Sequence, residues 1–434
     1  MATSRDSRSP VVELGPDSIA VRPALRNLEA IYRESESLGP VNNCYRFWVA
    51  SRPFDADTGP DHFIRHTCLS MMCRLIAYRF LEARPSERDL WEVMSGDYFV
   101  RAGLSNFLGE DLFSWPFFRL SMGIGDDALS LETARTLLAA LESLRFDQPS
   151  STMLSGLYRE FMGLEATEHP ILADLPFAES PALTCVAPYC GDGLALSHAV
   201  RAALLSRVAN GQFPSDALPE ISGQFLAMTS DPLATTIASL AFLLALGDEV
   251  TEPHPPILVP VYMAHGANLP PERRDGADTP TFAIESAGGV VLPMRVAADP
   301  LYLDWLLGRL PNYLRGAALR LRAQPEDVAV QEVLNAWYNY LVSPKARTPI
   351  PDPLSPEDAD VMVEAARNLI LQYIGGSGPG PLYIVRNALA PLFGSERNFD
   401  MMLWPTELAS DLDLQAACSA LYLDDTGRVL VSQP

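Results

Sequence analysis

Five groups of residues in this 434-residue chain have side chains and spacings suited to binding or catalysis. The first is the turn Val186-Ala187-Pro188-Tyr189-Cys190-Gly191-Asp192-Gly193, which joins a β-type run to a helical pattern. Its glycines are spaced to let a ligand approach the backbone closely, although an ordinary strand-to-helix turn reads the same way. His62 and His66 stand four apart on a helical pattern, a spacing that can hold zinc. No nearby glutamate completes a hydrolase motif, and core or surface histidines are the commoner outcome. Cys185 and Cys190 flank the glycine turn, where a reactive thiol competes with a buried small residue. Glu110 and Asp111 could form an acid–base couple, but the surrounding Phe113, Trp115, Phe117 and Phe118 favour a packing or partner surface. Arg309, Arg315, Arg320 and Arg322 make the main basic stretch, which serves either a phosphate backbone or the chain's own surplus acid.

The elements that carry these groups follow from periodicity. From Asp61 to Ala83 apolar residues recur at three and four between Pro60 and Pro85, which predicts a helix. Further helices are expected at Glu87 to Met94, Leu131 to Leu144 with Ser130 as N-cap, and Thr152 to Met162. After a Pro-rich passage, His169 to Pro181, the pattern changes to strand Leu183–Ala187, helix Leu194–Val208, strand Gln224–Met228, helix Asp231–Gly247 and strand Ile257–Met263. That alternation is the mark of a parallel sheet. It is interrupted by a hairpin-like Phe282 to Met294 and helices Leu301 to Leu321 and Val328 to Leu341. Helices Pro356 to Ile374 and Leu382 to Phe393, separated by a loop, lead to a fourth strand, Asn398 to Trp404. A helix, Leu412 to Leu423, and a fifth strand, Arg428 to Val431, follow.

The order of these motifs resembles the amino-group DNA methyltransferases, which use S-adenosylmethionine. Their cofactor loop runs Asp-Pro-x-x-Gly-x-Gly, and Pro188, Gly191 and Gly193 match it. Pro260-Val261-Tyr262-Met263-Ala264 looks like the family's third strand, and Asn398 to Leu403 like the strand entering its catalytic loop. Phe63-Ile64-Arg65-His66-Thr67, Glu110 to Trp115 and Gly156-Leu157-Tyr158-Arg159-Glu160 resemble the helical domain preceding the methylase core in large adenine-specific restriction and phage-defence enzymes. The resemblance implies an α/β fold: a helical N-terminal domain, then a Rossmann-like sheet of the S-adenosylmethionine methyltransferase type, shortened at the C-terminus. The expected divisions are a partly ordered arm at 1–58, a helical domain at 59–168, and the α/β domain at 169–434 with a helical insertion at about 267–356.

The chain departs from the family at the residues that carry chemistry. The acid that opens the glycine loop is Ala187 here, the ribose-gripping acid after the second strand is matched by Thr229, and the acid after the third strand by His265. The catalytic Asn/Asp-Pro-Pro-aromatic loop, which holds the target amine and stacks the flipped base, reads Pro405-Thr406-Glu407-Leu408. Proline has no side-chain acceptor, and losing both cofactor-gripping acids removes bonds worth about 1 to 3 kcal/mol each. The Tyr-Thr-Pro cofactor motif is missing between Leu154 and Pro176, and the sheet is expected to stop near its fifth strand with no base-reading domain after it. The resemblance therefore implies a vestigial cofactor site at Ala187, Pro188, Gly191, Gly193, Thr229 and His265, with S-adenosylmethionine bound only if the ancestral site survives. No catalytic residue and no metal is expected.

Composition agrees. A net charge of −22 opposes DNA or an anionic membrane as sole partner. The one lysine is Lys345, so nearly all basic residues are arginine. Six scattered cysteines without CxxC pairs read as reduced thiols of a cytoplasmic protein, and MATSRDSRSP has no signal-peptide h-region. The most apolar run, Ile237 to Leu246, is half the ~20 residues that span a bilayer and belongs in a core. The expected function is a catalytically inactive methyltransferase-like accessory subunit that binds a protein partner in a bacterial defence or DNA-modification system. The alternative is an active adenine methyltransferase with an altered pocket, or one completed by a partner chain.

Overall fold

The computed structural model describes residues 10–52, 58–82, 84–109, 111–117, 127–143, 150–164, 175–275, 280–321, 323–342, 353–378, 380–395 and 397–432. Its centre is a five-stranded, wholly parallel sheet of β1 (Cys185–Ala187), β2 (Phe225–Thr229), β3 (Val261–Met263), β4 (Phe399–Trp404) and β5 (Leu423–Val431). The spatial order is β5-β4-β1-β2-β3. The chain therefore builds outward from β1 in one direction and then returns to build in the other. Every parallel pair needs a crossover, and helices supply them: Leu194–Ala209 and Pro214–Gln224 before β2, Pro232–Leu246 after it, and Leu412–Tyr422 before β5. The protein is thus α/β with a parallel sheet, as its alternating pattern implies.

Side chains alternate across the strands and divide the interior in two. Cys185, Ala187, Phe225, Ala227, Val261, Met401 and Leu403 point into one buried cluster, while Val186, Leu226, Met228, Tyr262, Met402 and Trp404 point into another. The first cluster runs on without a break into the N-terminal helices, including Phe63, Leu69 and Leu75 of Pro60–Leu81. The second holds the insertion, with Leu303, Leu306, Val333 and Trp337. Pro232–Leu246 lies between the sheet and the helix Pro60–Leu81 and is buried on all sides, which is why it has no polar face. Among the described residues the one stretch apolar and long enough to cross a membrane, Pro232–Thr251, is this interior helix and its extension.

Several elements differ from the sequence expectation. Residues 22–50 are expected within a partly ordered arm with one helical pattern around Ala24 to Glu34. That pattern is the helix Arg22–Ser35, and the aromatic stretch beyond it is a second helix, Gly39–Ala50, because Leu28, Ile31, Val41, Cys44 and Trp48 bury against the first core. Pro214–Gln224 is helical despite Pro219, with Pro214 in the first turn where its missing N–H costs nothing. The expected strand Ile257–Met263 breaks at Pro260: Ile257–Leu258 pairs with Leu104–Ser105, and only Val261–Met263 joins the central sheet. Helix Ala128–Ser143 starts two residues ahead of Ser130, whose hydroxyl donates instead to the Pro116 carbonyl at 2.6 Å. The long helix expected over 301–321 is two, Pro300–Leu307 and Leu310–Arg320. Likewise 382–393 divides into Gly380–Ala388 and Ala390–Ser395. The expected hairpin is Pro280–Ile284 with Val290–Pro293, and Arg273–Asp275 adds a third antiparallel strand.

At the β3 edge, two asparagines take the place of a neighbouring strand. Asn106 Nδ2 donates to the Val259 and Val261 carbonyls at 2.8 and 3.0 Å, and Asn387 Oδ1 accepts from Met263 N–H at 2.7 Å.

Candidate functional site

The glycine turn leaves the C-terminal end of β1 and is tied to β2 by Cys190 N–H donating to the Met228 carbonyl at 2.8 Å. Gly191 and Gly193 both have positive φ, 54° and 78°. They differ in their surroundings: a Cβ on Gly191 would meet nothing within 4 Å, whereas one on Gly193 would lie 2.6 Å from Ala238 Cα. Gly193 therefore lets Leu194–Ala209 pack directly on the interior helix. Between them, Asp192 Oδ1 accepts from Leu194 N–H at 3.2 Å and Oδ2 accepts from the Ser155 hydroxyl. This links the turn to the helix Ser151–Met162.

Pro188 and Tyr189 lean toward the end of β3. A Cβ on Gly266 would be 2.5 Å from Pro188 Cβ, and the Tyr422 hydroxyl donates to the Gly266 carbonyl at 2.7 Å. The Tyr189 hydroxyl hydrogen-bonds His265 Nδ1 at 3.1 Å, and its ring stands edge-on to His265 and Trp404 at 5.2 and 5.6 Å. His265 thus serves as a partner of Tyr189.

Beyond β4 the chain closes into a single 3-10 turn, Thr406–Leu408. Leu408 N–H donates to the Pro405 carbonyl at 3.1 Å, Ala409 N–H to Thr406 at 3.0 Å, and the Trp404 indole to Leu408 at 2.9 Å. The Thr406 N–H donates to Ser432 Oγ at 3.2 Å, the Thr406 hydroxyl donates to the Ser432 carbonyl, and Ser432 N–H donates to Trp404 at 3.0 Å. The turn is held shut by its own backbone on one side and by the end of β5 on the other.

The two turns flank a cleft of about 320 Å³ at the C-terminal ends of β1, β2 and β4, where the order of the sheet reverses. Open parallel sheets place ligands at this point. Ala187, Gly191, Thr229, Pro405, Glu407 and Leu408 line it, while Pro188, Gly193, Thr406 and His265 stand outside the lining. The far wall, Ser155, Tyr158 and Arg159, comes from the N-terminal region, and Asp192 and Ser432 complete the polar groups with Ser230. No local sequence signal marks Ser155, Tyr158 and Arg159, about 30 residues before β1, or Ser432 beyond β5; only packing brings them here.

An acid does follow β2, two residues beyond Thr229. Asp231 Oδ1 caps Pro232–Leu246 through Ala234 N–H at 2.8 Å, and Oδ2 pairs with Arg52 at 2.6 Å in a largely buried bridge. Its carboxylate is committed to the fold. Burial, with Asp231 and Asp192 adding to it, holds the Tyr158 phenol well above its usual range, against the opposing pull of Arg52 and Arg159, so it enters the cleft neutral.

The remaining sequence candidates are structural. His66 is fully buried, its Nδ1 accepts from the Trp48 indole at 3.0 Å, and burial, aided by Arg52 and His62, lowers its imidazole to about 3. Among the described residues no group of three His, Cys, Asp or Glu side chains could hold a metal. Cys185 is buried, which raises its thiol pKa; Cys190 is half-buried at the cleft, and desolvation, with Asp192 adding, raises its thiol to about 12, which disfavours the thiolate at neutral pH. Asp111 is committed to the fold. It pairs with the buried Arg74 at 2.9 Å and accepts from Phe113 N–H and the Ser114 hydroxyl, while Glu110 lies outside the described residues. Phe113, Trp115 and Phe117 form no partner surface: they are buried, with Trp115 stacked on Phe63 at 5.9 Å, and Phe118 lies outside the described residues. In the basic stretch Arg309 lies over Trp305 at 4.7 Å, Arg315 reaches Asp97 at 3.8 Å and Arg320 pairs with Glu332 at 3.4 Å. Arg322 lies outside the described residues.

Compared with protein-family models and with curated proteins, the chain matches none.

Proposed function

We propose that this protein is a Rossmann-like, methyltransferase-type α/β protein that does not transfer methyl groups and works as a cytoplasmic accessory subunit, binding a protein partner in a bacterial defence or DNA-modification assembly. The observation that carries this reading is the closed turn after β4. In the DNA methyltransferases that the sequence resembles, the loop at this place offers a side chain and backbone carbonyls to the target amine. Here the first position is Pro405, and the Pro405, Thr406 and Leu408 carbonyls already accept from Leu408, Ala409 and Trp404. Each of these carbonyls thus has one lone pair engaged, and the donors that engage it hold the turn in this closed form. Two further features support the reading. Ala187 and Thr229 line the cleft where acids would grip the cofactor, and the next acid, Asp231, is bound to Arg52.

The persistence of a cleft of about 320 Å³ favours the second reading, an active methyltransferase completed by a partner chain. One experiment separates them. The full chain is incubated with tritiated S-adenosylmethionine and duplex DNA, with and without candidate partner proteins, and its melting temperature is followed as S-adenosylmethionine is added. The accessory reading expects no label in DNA from the chain alone, none with a partner whose own catalytic loop has been inactivated, and no stabilisation at micromolar cofactor. Label in DNA in either case overturns it.

A further inference from the structure

We infer that the cleft at the ends of β1, β2 and β4 is a binding site for an aliphatic organic cation, an ammonium or guanidinium, paired with Asp192, and that it excludes phosphate. The inference rests on the methyl-transfer-free reading of this cleft.

The argument starts from the helix that follows the glycine turn. A glycine-rich turn opening a helix is ordinarily an anion site, because the first N–H groups are unpaired and the helix dipole favours negative charge. In this chain the place is taken from within: the Asp192 carboxylate accepts from Leu194 N–H at 3.2 Å. An incoming phosphate would face a fixed negative charge where it needs donors. The same carboxylate remains available to a donor. An ionised carboxylate has about four acceptor sites, and Leu194 N–H and the Ser155 hydroxyl use two. The Ser155 bond also fixes its orientation toward the cleft that both residues line.

Two other groups agree in sign. Glu407 lines the opposite side, carried on a turn that is tethered to Ser432. The Tyr158 hydroxyl, on the far wall, makes no hydrogen bond among the described residues. It offers an acceptor to an N–H donor. Arg159 is the one basic side chain among the lining residues, against the two acids. The volume, about 320 Å³, is at the lower end for small-ligand sites and suits a short aliphatic cation.

The test uses the full chain and differential scanning fluorimetry at constant ionic strength. Agmatine is the free cation, and an acetylated, amidated tripeptide with a central arginine is the side-chain form of the same chemistry. The neutral control is 1,4-butanediol and the anionic control is AMP. A saturable rise in melting temperature is expected with agmatine and none with the two controls; a stronger response to the tripeptide marks a partner's side chain as the source. Asp192→Asn, which keeps an oxygen for Leu194 N–H, should weaken the apparent agmatine affinity about tenfold by replacing a charge-assisted bond with a neutral one. Glu407→Gln, at an exposed position, should weaken it less. Absence of an agmatine response, an equal response to AMP, or an unchanged response in Asp192→Asn with native circular dichroism overturns the inference. Labelled S-adenosylmethionine run in parallel keeps the two readings apart, since methyl transfer defeats the accessory role and agmatine failure without transfer defeats only the cation site.

Discussion

The two turns that face each other across the cleft are shaped by different means. After β1 the backbone itself is special: Gly191 and Gly193 take left-handed conformations, and a side chain at Gly193 has no room. After β4 the backbone is ordinary and a network of hydrogen bonds holds it, from Trp404, Thr406 and Ser432. The first turn therefore depends on two glycine conformations as well as its hydrogen bonds, and leaves its polar side chain, Asp192, turned toward the cleft. The second keeps its form by consuming the groups that would otherwise meet a ligand.

Substitutions test that contrast. Gly193→Val should cost about 3 kcal/mol or more, since strain at positive φ adds to overpacking against Ala238; urea unfolding would measure it, and a loss under about 1 kcal/mol would mean the turn is not set there. The double change Thr406→Val with Ser432→Ala should cost about 2 kcal/mol through two lost hydrogen bonds. It should also speed amide exchange at Leu408 and Ala409 while leaving Leu194 unaffected, and exchange that rises at both turns would show them to be coupled. Gly191→Ala, with open space around it, carries only the backbone penalty, about 1.5 kcal/mol. Trp404→Phe keeps the ring in its pocket and removes one donor, so a loss of about 1 kcal/mol in the same unfolding assay is expected.

Much of the sheet is legible in the sequence because β1 to β4 are short, largely apolar and followed by a turn signal. By contrast, β5 begins in the polar run Asp424 to Gly427, and only its apolar end is readable. Thr229, Trp404 and the glycines stand where that pattern places them, and the interior helix announces itself by having no polar side. What is not legible depends on long-range packing. Nothing local marks Ser155 and Tyr158 as walls of a cleft built by β1 and β4, and nothing local marks Ser432 as the latch of Thr406. Asp192 sits inside the quoted motif, yet its importance follows from the cap to Leu194, which a list of residue types does not contain. The prolines at 214 and 219 hid a helix because a breaker and a helix-starting residue look alike until the first turn is located.

The asparagines at the β3 edge have a consequence for how this molecule can grow. An uncovered strand is a template for further strands, and a sheet with two such margins can polymerise. Asn106 and Asn387 occupy the backbone groups of β3 on its outer side, so recruitment of a foreign strand is confined to β5 at the opposite margin. Extension of this sheet through β5 by a like copy would leave an asparagine-capped β3 at each end, and so would stop at a pair.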